Sequence, residues 1–348
     1  ITGPDVFGAK TSGLIEGEFY GSANLSINTL RLRHAWVKLA WPKTELQIGQ
    51  NWHPLYVPAA APEPVSLNSG APFIVFARNP QVRLTRQIGD FKVLGAVLFQ
   101  LDQTSNGPEG PSPKYLRNSI VPEMVVQVQY GRNGEGRVKE FLAAAGLDYL
   151  LLMPRLSTEV TIRGAYDTVV NNLVVHHNAV VQTYKTEARV PALSGNLLVK
   201  MKFAKWTAKF GGLYGANCYA FSMIGGYAVK GITDPLRGTV EYAATRTASA
   251  WADLKTNGPR WSFGVYGGYS KNLGASSELA GPYYSRGENI DYLYRVAPRI
   301  VLTVNKLKIA TEVDYTVAAY GTVTGKGMVA DPVEVGNVRF LCGVYYYF

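Results

Sequence analysis

The ionisable residues of this chain stand in rows rather than in catalytic sets. Arg31 and Arg33 alternate with Leu30 and Leu32, and Glu16 and Glu18 alternate with Ile15, Gly17 and Phe19. Lys200 and Lys202 oppose Leu197, Val199, Met201 and Phe203. Lys92 opposes Phe91 and Val93, and Arg295 and Arg299 share one parity between Ile290 and Val304. On an extended chain, residues two apart point to the same face. Each row therefore sets charge against water while its neighbours form an apolar face. Rows of this kind orient ions and dipoles; they do not make or break bonds. Nucleophilic catalysis needs a nucleophile, a base and an orienting acid, and no Ser stands beside a His and an acid in such an order. His34 is mid-strand, His53 opens a Pro-rich segment, and His176-His177 lie in a segment of unclear period. Their spacing suggests no converging metal ligands, and neither a metal nor a cofactor is expected. Asp102, Glu123, Glu312 and Asp314 read as carboxylates of loops or of a wetted wall. Cys218 and Cys342 are too few and too far apart for a disulfide framework, and Cys342 falls on an apolar parity as a simple wall residue.

The composition favours strands as the elements that carry these rows. Of 348 residues, 47% are hydrophobic, yet mean hydropathy is -0.02, so apolar and polar residues are interleaved. No run of 18 apolar residues occurs, which excludes ordinary transmembrane helices. Tyr (22) and Gly (36) are abundant, as many strands and turns require. The net charge of +10 is spread along the chain. A nucleic-acid interface would gather it in one patch; a basic wall that favours anions fits the spread better. The opening ITGPDVFG reads as the tail of a strand followed by a turn, not as a signal peptide. Further sequence is expected ahead of Ile1.

The rhythm along the chain is strand, tight turn, strand, long loop. Alternation marks strands at Leu14–Tyr20, Leu30–Leu39, Glu45–Trp52, Val82–Ile88, Phe91–Leu101, Met124–Tyr130 and Lys139–Met153. Turns at Pro42-Lys43-Thr44 and Gly89-Asp90 join two of these pairs. Residues 154–190 read either as one long external loop or as an extra hairpin. Further strands follow around Leu197–Phe203, Trp206–Tyr214, Val240–Leu254, Trp261–Ser270, Ile290–Val304, Ile309–Tyr315 and Val338–Phe348. This gives about fourteen strands, or about sixteen with a preceding pair, enough for an aqueous channel. The predicted fold class is all-β: one transmembrane antiparallel β-barrel over residues 1–348. Trp36, Trp41, Trp52, Trp206 and Trp261 fall near strand ends, as aromatic girdles would. A structureless loop as long as residues 53–77 is out of place in a compact soluble domain, but fits if it folds into a wide lumen. The contrasting reading is a soluble all-β carbohydrate-binding or hydrolytic protein, in which the aromatic last strand would be an aggregation hazard.

Four stretches resemble the Gram-negative trimeric general porins: TSGLIEGEFYG, RHAWVKLAW, ELQIGQNWHPLY and RNPQVRLTRQIGDFKVLGAVLFQ. They are similar to the third strand, the fourth strand, the segment opening the constriction loop, and the strands after it. The resemblance covers roughly residues 1–101; beyond that only the rhythm and the terminal Phe348 match. It implies a sixteen-stranded barrel in the bacterial outer membrane, a homotrimer set in lipid and lipopolysaccharide, and an eyelet between the third loop and a ladder of wall arginines. Arg33 and Arg78 fall on two ladder positions. Glu63, the only acid in residues 53–77, becomes the candidate for the acidic side. Alternation turns Arg83 rather than Arg78 inward, a conflict that a bulge near Pro80 would reconcile. Arg31, Arg33, Arg78 and Arg83 facing one acid would create a transverse field with net anion preference. The plainer alternative pairs these arginines with Glu16 and Glu18 as ordinary wall ion pairs. The expected activity is passive diffusion of small hydrophilic solutes, without enzymatic chemistry or a nucleic-acid partner. The alternative is a channel selective for sugars, dicarboxylates or peptides.

Overall fold

The computed structural model describes residues 1–19, 29–66, 69–170 and 173–348. Alternation yields strands β1 (Lys10–Glu18), β2 (Arg31–Ala40), β3 (Thr44–Trp52), β4 (Arg78–Ile88), β5 (Phe91–Leu98), β6 (Glu123–Asn133) and β7 (Val138–Leu152). Tyr20, placed in the first strand by its alternation, lies outside the described residues. Next come β8 (Ser157–Arg163), β9 (Tyr166–Val170), β10 (Leu173–His177), β11 (Val180–Lys185), β12 (Val190–Phe203), β13 (Trp206–Ala216) and β14 (Gly225–Asp234). The chain closes with β15 (Thr239–Ala244), β16 (Arg246–Thr256), β17 (Trp261–Gly274), β18 (Tyr283–Arg286), β19 (Ile290–Val304), β20 (Leu307–Val323) and β21 (Val329–Tyr346). Among the described residues, one short helix, α1 (Lys114–Ser119), and a 3-10 turn at Cys218–Phe221 interrupt the loops.

Among the described residues, fourteen strands form one antiparallel sheet in the order β1-β2-β3-β4-β5-β6-β7-β12-β13-β16-β17-β19-β20-β21. Residues of the 53–77 loop touch this sheet from β6 round to β20, which requires the sheet to curve around them. The protein is a transmembrane antiparallel β-barrel. Among the described residues, no helix is long and apolar enough to cross a membrane. Its outer face is a belt of exposed apolar side chains, among them Ile15, Val37, Ile48, Leu84, Val126 and Phe263. Leu197 remains 55% exposed and so faces outward from the wall. Cys342 is exposed with Phe340 and Val344 on that outer face, as expected.

The connections are short at one end of the barrel and long at the other. Two residues join β4 to β5 and β19 to β20, whereas residues 53–77 and 153–189 fill the opposite end. Residues 154–190 hold two stacked ladders, β8 with β11 and β9 with β10, so the hairpin reading is the observed one. The stretch read as one strand over Val240–Leu254 divides at Thr245. Its first part joins β14 and β18 in a separate three-stranded sheet, because Thr245 binds Gly226 through both its backbone and its hydroxyl. Trp206 and Trp261 are exposed near turns, as girdle residues should be. Trp52 is not a girdle residue. It lies inside, with ring centroids 4.5 Å from Tyr56, 5.3 Å from Phe76 and 5.4 Å from His34.

A second departure is a bulge that alternation cannot show. The β1–β2 register slips between the pairs Glu16–His34 and Gly17–Leu32, leaving Arg33 as an extra residue on β2. Such a slip reverses which parity faces out: Leu32 is exposed before it and Val37 after it. The Gln50 side-chain amide donates to the Leu32 and Arg33 carbonyls, at 3.1 Å each. It thereby satisfies acceptors that the ladder leaves free.

Candidate functional site

The loop from residue 53 to 77 carries Pro54, Pro58, Pro62, Pro64 and Pro72, which cannot donate to a ladder. A buried segment must still satisfy its backbone groups, and here the barrel wall does so. Gln127 donates to the Pro54 carbonyl at 2.6 Å and Asn196 to the Leu55 carbonyl at 2.7 Å. The Lys209 ammonium donates to the Ala61 carbonyl at 2.8 Å. The Glu63 N–H donates to Asp253 at 2.8 Å, and the Val65 and Ser66 N–H groups donate to the two oxygens of Glu312 at 2.8 and 3.3 Å. Tyr266 O–H reaches the Gly70 carbonyl at 2.8 Å, and Arg295 reaches the Ala71 carbonyl at 3.1 Å.

Apolar contacts run beneath these bonds. Tyr56, Val57, Ala61, Phe73 and Ile74 of the loop form one buried cluster with Leu198, Trp251, Tyr266 and Leu293 of the wall. Leu55 and Val75 form another with Leu94, Leu98, Val125 and Leu213. Wall glycines make this approach possible: a Cβ at Gly268 would stand 2.5 Å from Phe73, and one at Gly146 would stand 2.5 Å from Leu55. The inner face from β5 to β20 is thus a core, with the loop as its other half.

Charges divide between two flanks. Under the loop, Glu63 lies 2.5 Å from both Lys209 and Lys255. Burial alone would raise its carboxyl above the ordinary 4.5, but the two ammonium groups outweigh burial and hold it at about 2. Arg299 pairs with Asp253 at 2.7 Å, and Arg295 with Asp314 at 3.3 Å. On the other flank, Arg31 meets Glu18 at 2.5 Å, and Arg33 meets Glu16 at 3.0 Å and Glu18 at 3.2 Å. Arg78 meets Asp102 at 2.8 Å and Glu18 at 3.6 Å, stacked over Trp52. Arg83 donates to the Trp52 carbonyl at 2.7 Å and to Gln81 at 2.9 Å, with no carboxylate in ion-pair range among the described residues.

The wall pairing of Arg31 and Arg33 with Glu16 and Glu18 is therefore present. Arg78 and Arg83 both turn inward, and no bulge at Pro80 is involved, since the β3–β4 register is unbroken from Arg78 to Arg86. Arg78 is the first residue of its strand, where the pleat does not yet constrain it. Glu63 is neutralised by lysines rather than paired to the arginines. Arg295 and Arg299 sit on the wall but beneath the loop. Lys200 pairs with Glu140 at 2.6 Å, while Lys92 and Lys202 are exposed near the short turns. Lys209, Lys255, Asp253 and Tyr266 gain their roles only from the fold, because their loop partners lie more than a hundred residues away.

The Glu63 clamp makes a pH prediction. A carboxyl depressed in the folded state contributes stability above its unfolded value and loses it as pH falls through its folded value. The loop tip is expected to hold firmly above pH 4.5 and to loosen as pH falls toward 2. Open-channel current noise should rise over that range, and K209M/K255M should show the raised noise at neutral pH.

One grouping contradicts the expectation that no metal-ligand set converges. His53 Nε2 lies 3.0 Å from Glu123 Oε1 and 3.6 Å from Asp148 Oδ1, all three residues being buried.

No family model matches the chain, and no curated protein matches it. Solved structures do. The anion-selective porin from Comamonas acidovorans is 13% identical with a TM-score of 0.52, over 100% of this chain and 87% of that one. OmpT, an outer membrane protein of Vibrio cholerae, is 10% identical with a TM-score of 0.50, over 98% of this chain and 90% of that one. Its loop-deleted form reaches 0.52 at 10% identity, over 99% and 88%. The fold is that of an outer-membrane β-barrel. At such identities the likeness extends to architecture and no further.

Proposed function

We propose that this chain is a porin of the bacterial outer membrane, related to the general porins, through which small hydrophilic solutes diffuse passively with a preference for anions. The observation that carries this reading is the inward loop clamped to one flank. It leaves the strip formed by β1, β2 and β4 as the charged side of the passage. The side chains of Arg33 and Glu16 are 29% and 43% exposed there, in contact with water rather than core. A passage bordered by fixed charge concentrates counter-ions. Arg31, Arg33, Arg78 and Arg83 face Glu16, Glu18 and Asp102, four positive charges against three. Glu63 with Lys209 and Lys255 is again positive by one. The excess is small, so the preference is modest rather than strict. The anion-selective porin with the same fold supports the reading by analogy. The general-porin resemblance adds a homotrimer embedded in lipid and lipopolysaccharide.

The test is reconstitution in a planar bilayer under a salt gradient. Stepwise conductance with a reversal potential of anion-preferring sign is expected. Absence of conductance steps defeats the channel reading, and a cation-preferring potential defeats the charge reading alone.

A further inference from the structure

The feature carrying most beyond the channel itself is the buried trio at the loop root. His53 is fully buried, and Glu123 and Asp148 are each 1% exposed. The donor atoms of all three lie within 4.8 Å of one another. Two oxygens, Glu123 Oε2 and Asp148 Oδ1, are buried without a hydrogen-bond partner. Two buried carboxylates facing one imidazole, which packs on Phe221, lack sufficient positive charge, and orphaned buried oxygens are costly.

We propose that His53, Glu123 and Asp148 form a binding site for a divalent transition-metal cation, with Zn2+ as its representative. Imidazole with two carboxylates suits zinc or manganese, and bond lengths of about 2.0–2.2 Å place such donors roughly 3–4 Å apart. The two carboxylates neutralise the dication, so the site closes without net charge. The ligands come from three elements: His53 from the loop, Glu123 from β6 and Asp148 from β7. A cation there would tie the loop root to two adjacent strands. The Leu55 N–H donates to His53 Nδ1 at 3.2 Å. Ligation through Nε2 shifts the imidazole proton to Nδ1, so this amide must give up its bond. Metal binding is thus coupled to the first turn of the loop.

The test uses the full chain in detergent, stripped with a chelator and titrated calorimetrically with Zn2+. An H176A background removes the exposed His176–Asp167 pair as a competing site. One equivalent per chain is expected, weakened about tenfold or more in H53A and in E123Q. Zinc, but not magnesium, should raise the thermal unfolding midpoint of the parent chain. E123Q preserves shape and so reports on ligation if H53A does not fold. No saturable zinc binding, or equal binding by the parent and by a folded E123Q, overturns the proposal. Binding is read without current, so its failure is independent of the channel reading.

Discussion

Changing Arg31 and Arg33 to glutamine is expected to reverse the anion preference proposed for the passage. The charged flank then holds Arg78 and Arg83 against Glu16, Glu18 and Asp102, which leaves one negative charge where one positive stood. The side chains of Arg31 and Arg33 are partly wet, so each counts for less than a buried charge. With about 0.7 kcal/mol per wet charge, within the range of surface pairs, each substitution shifts the anion-to-cation permeability ratio about threefold. The reversal potential of R31Q/R33Q in a salt gradient should change sign. The converse pair, E16Q/E18Q, unmasks the arginines and should strengthen anion preference by a similar factor. If R31Q/R33Q keeps the parental reversal potential, selectivity resides elsewhere than on this flank.

Removing Asp253 is expected to do large structural damage on the loop-bearing wall. Its carboxylate accepts the Glu63 N–H with one oxygen and pairs with Arg299 through the other. Arg299 is 5% exposed and Asp253 2% exposed. Asp253→Ala strands a guanidinium in a nearly dry setting and leaves a loop amide without its acceptor. Breaking one side of a buried pair costs about 3–5 kcal/mol. The midpoint of denaturant unfolding should fall accordingly. Single-channel conductance should rise or flicker, because the loop tip loses its central anchor. Asp253→Asn keeps the amide acceptor but not the charge and should recover part of the loss. A D253A protein with parental stability and steady current would refute this account of how the loop is held.

Much of this architecture is legible in the sequence, for a definite reason. Where lipid touches one face and water the other, alternation is sharp, as at Leu14–Glu18 and Trp261–Val265, and strands follow it. The Pro-rich segment 53–77 is legible because its prolines cannot serve in a ladder. What alternation hides is whatever the loop covers. Leu94, Leu98, Val125 and Leu213 face inward yet are apolar, because Leu55 and Val75 lie on them instead of water. The slip at Arg33 leaves no mark in composition, and its compensating Gln50 is seventeen residues away. The break at Thr245 depends on Gly226, a contact between segments that never read as paired. Glu63 is conspicuous as a lone acid, but its partners Lys209 and Lys255 are separated from it by 146 and 192 positions. The trio of His53, Glu123 and Asp148 is scattered in the same way over three elements.

The lopsided seat of the loop has a consequence for how such a protein can change. The larger part of the circumference, from β5 to β20, is committed to gripping the inserted segment, and a substitution there risks the whole assembly. The smaller arc, from β1 to β4, meets the loop chiefly through Trp52, and its wetted side chains, Arg33 and Glu16 among them, can be rewritten one at a time. New permeation preferences can therefore arise along that arc while the scaffold that keeps the aperture narrow is left alone.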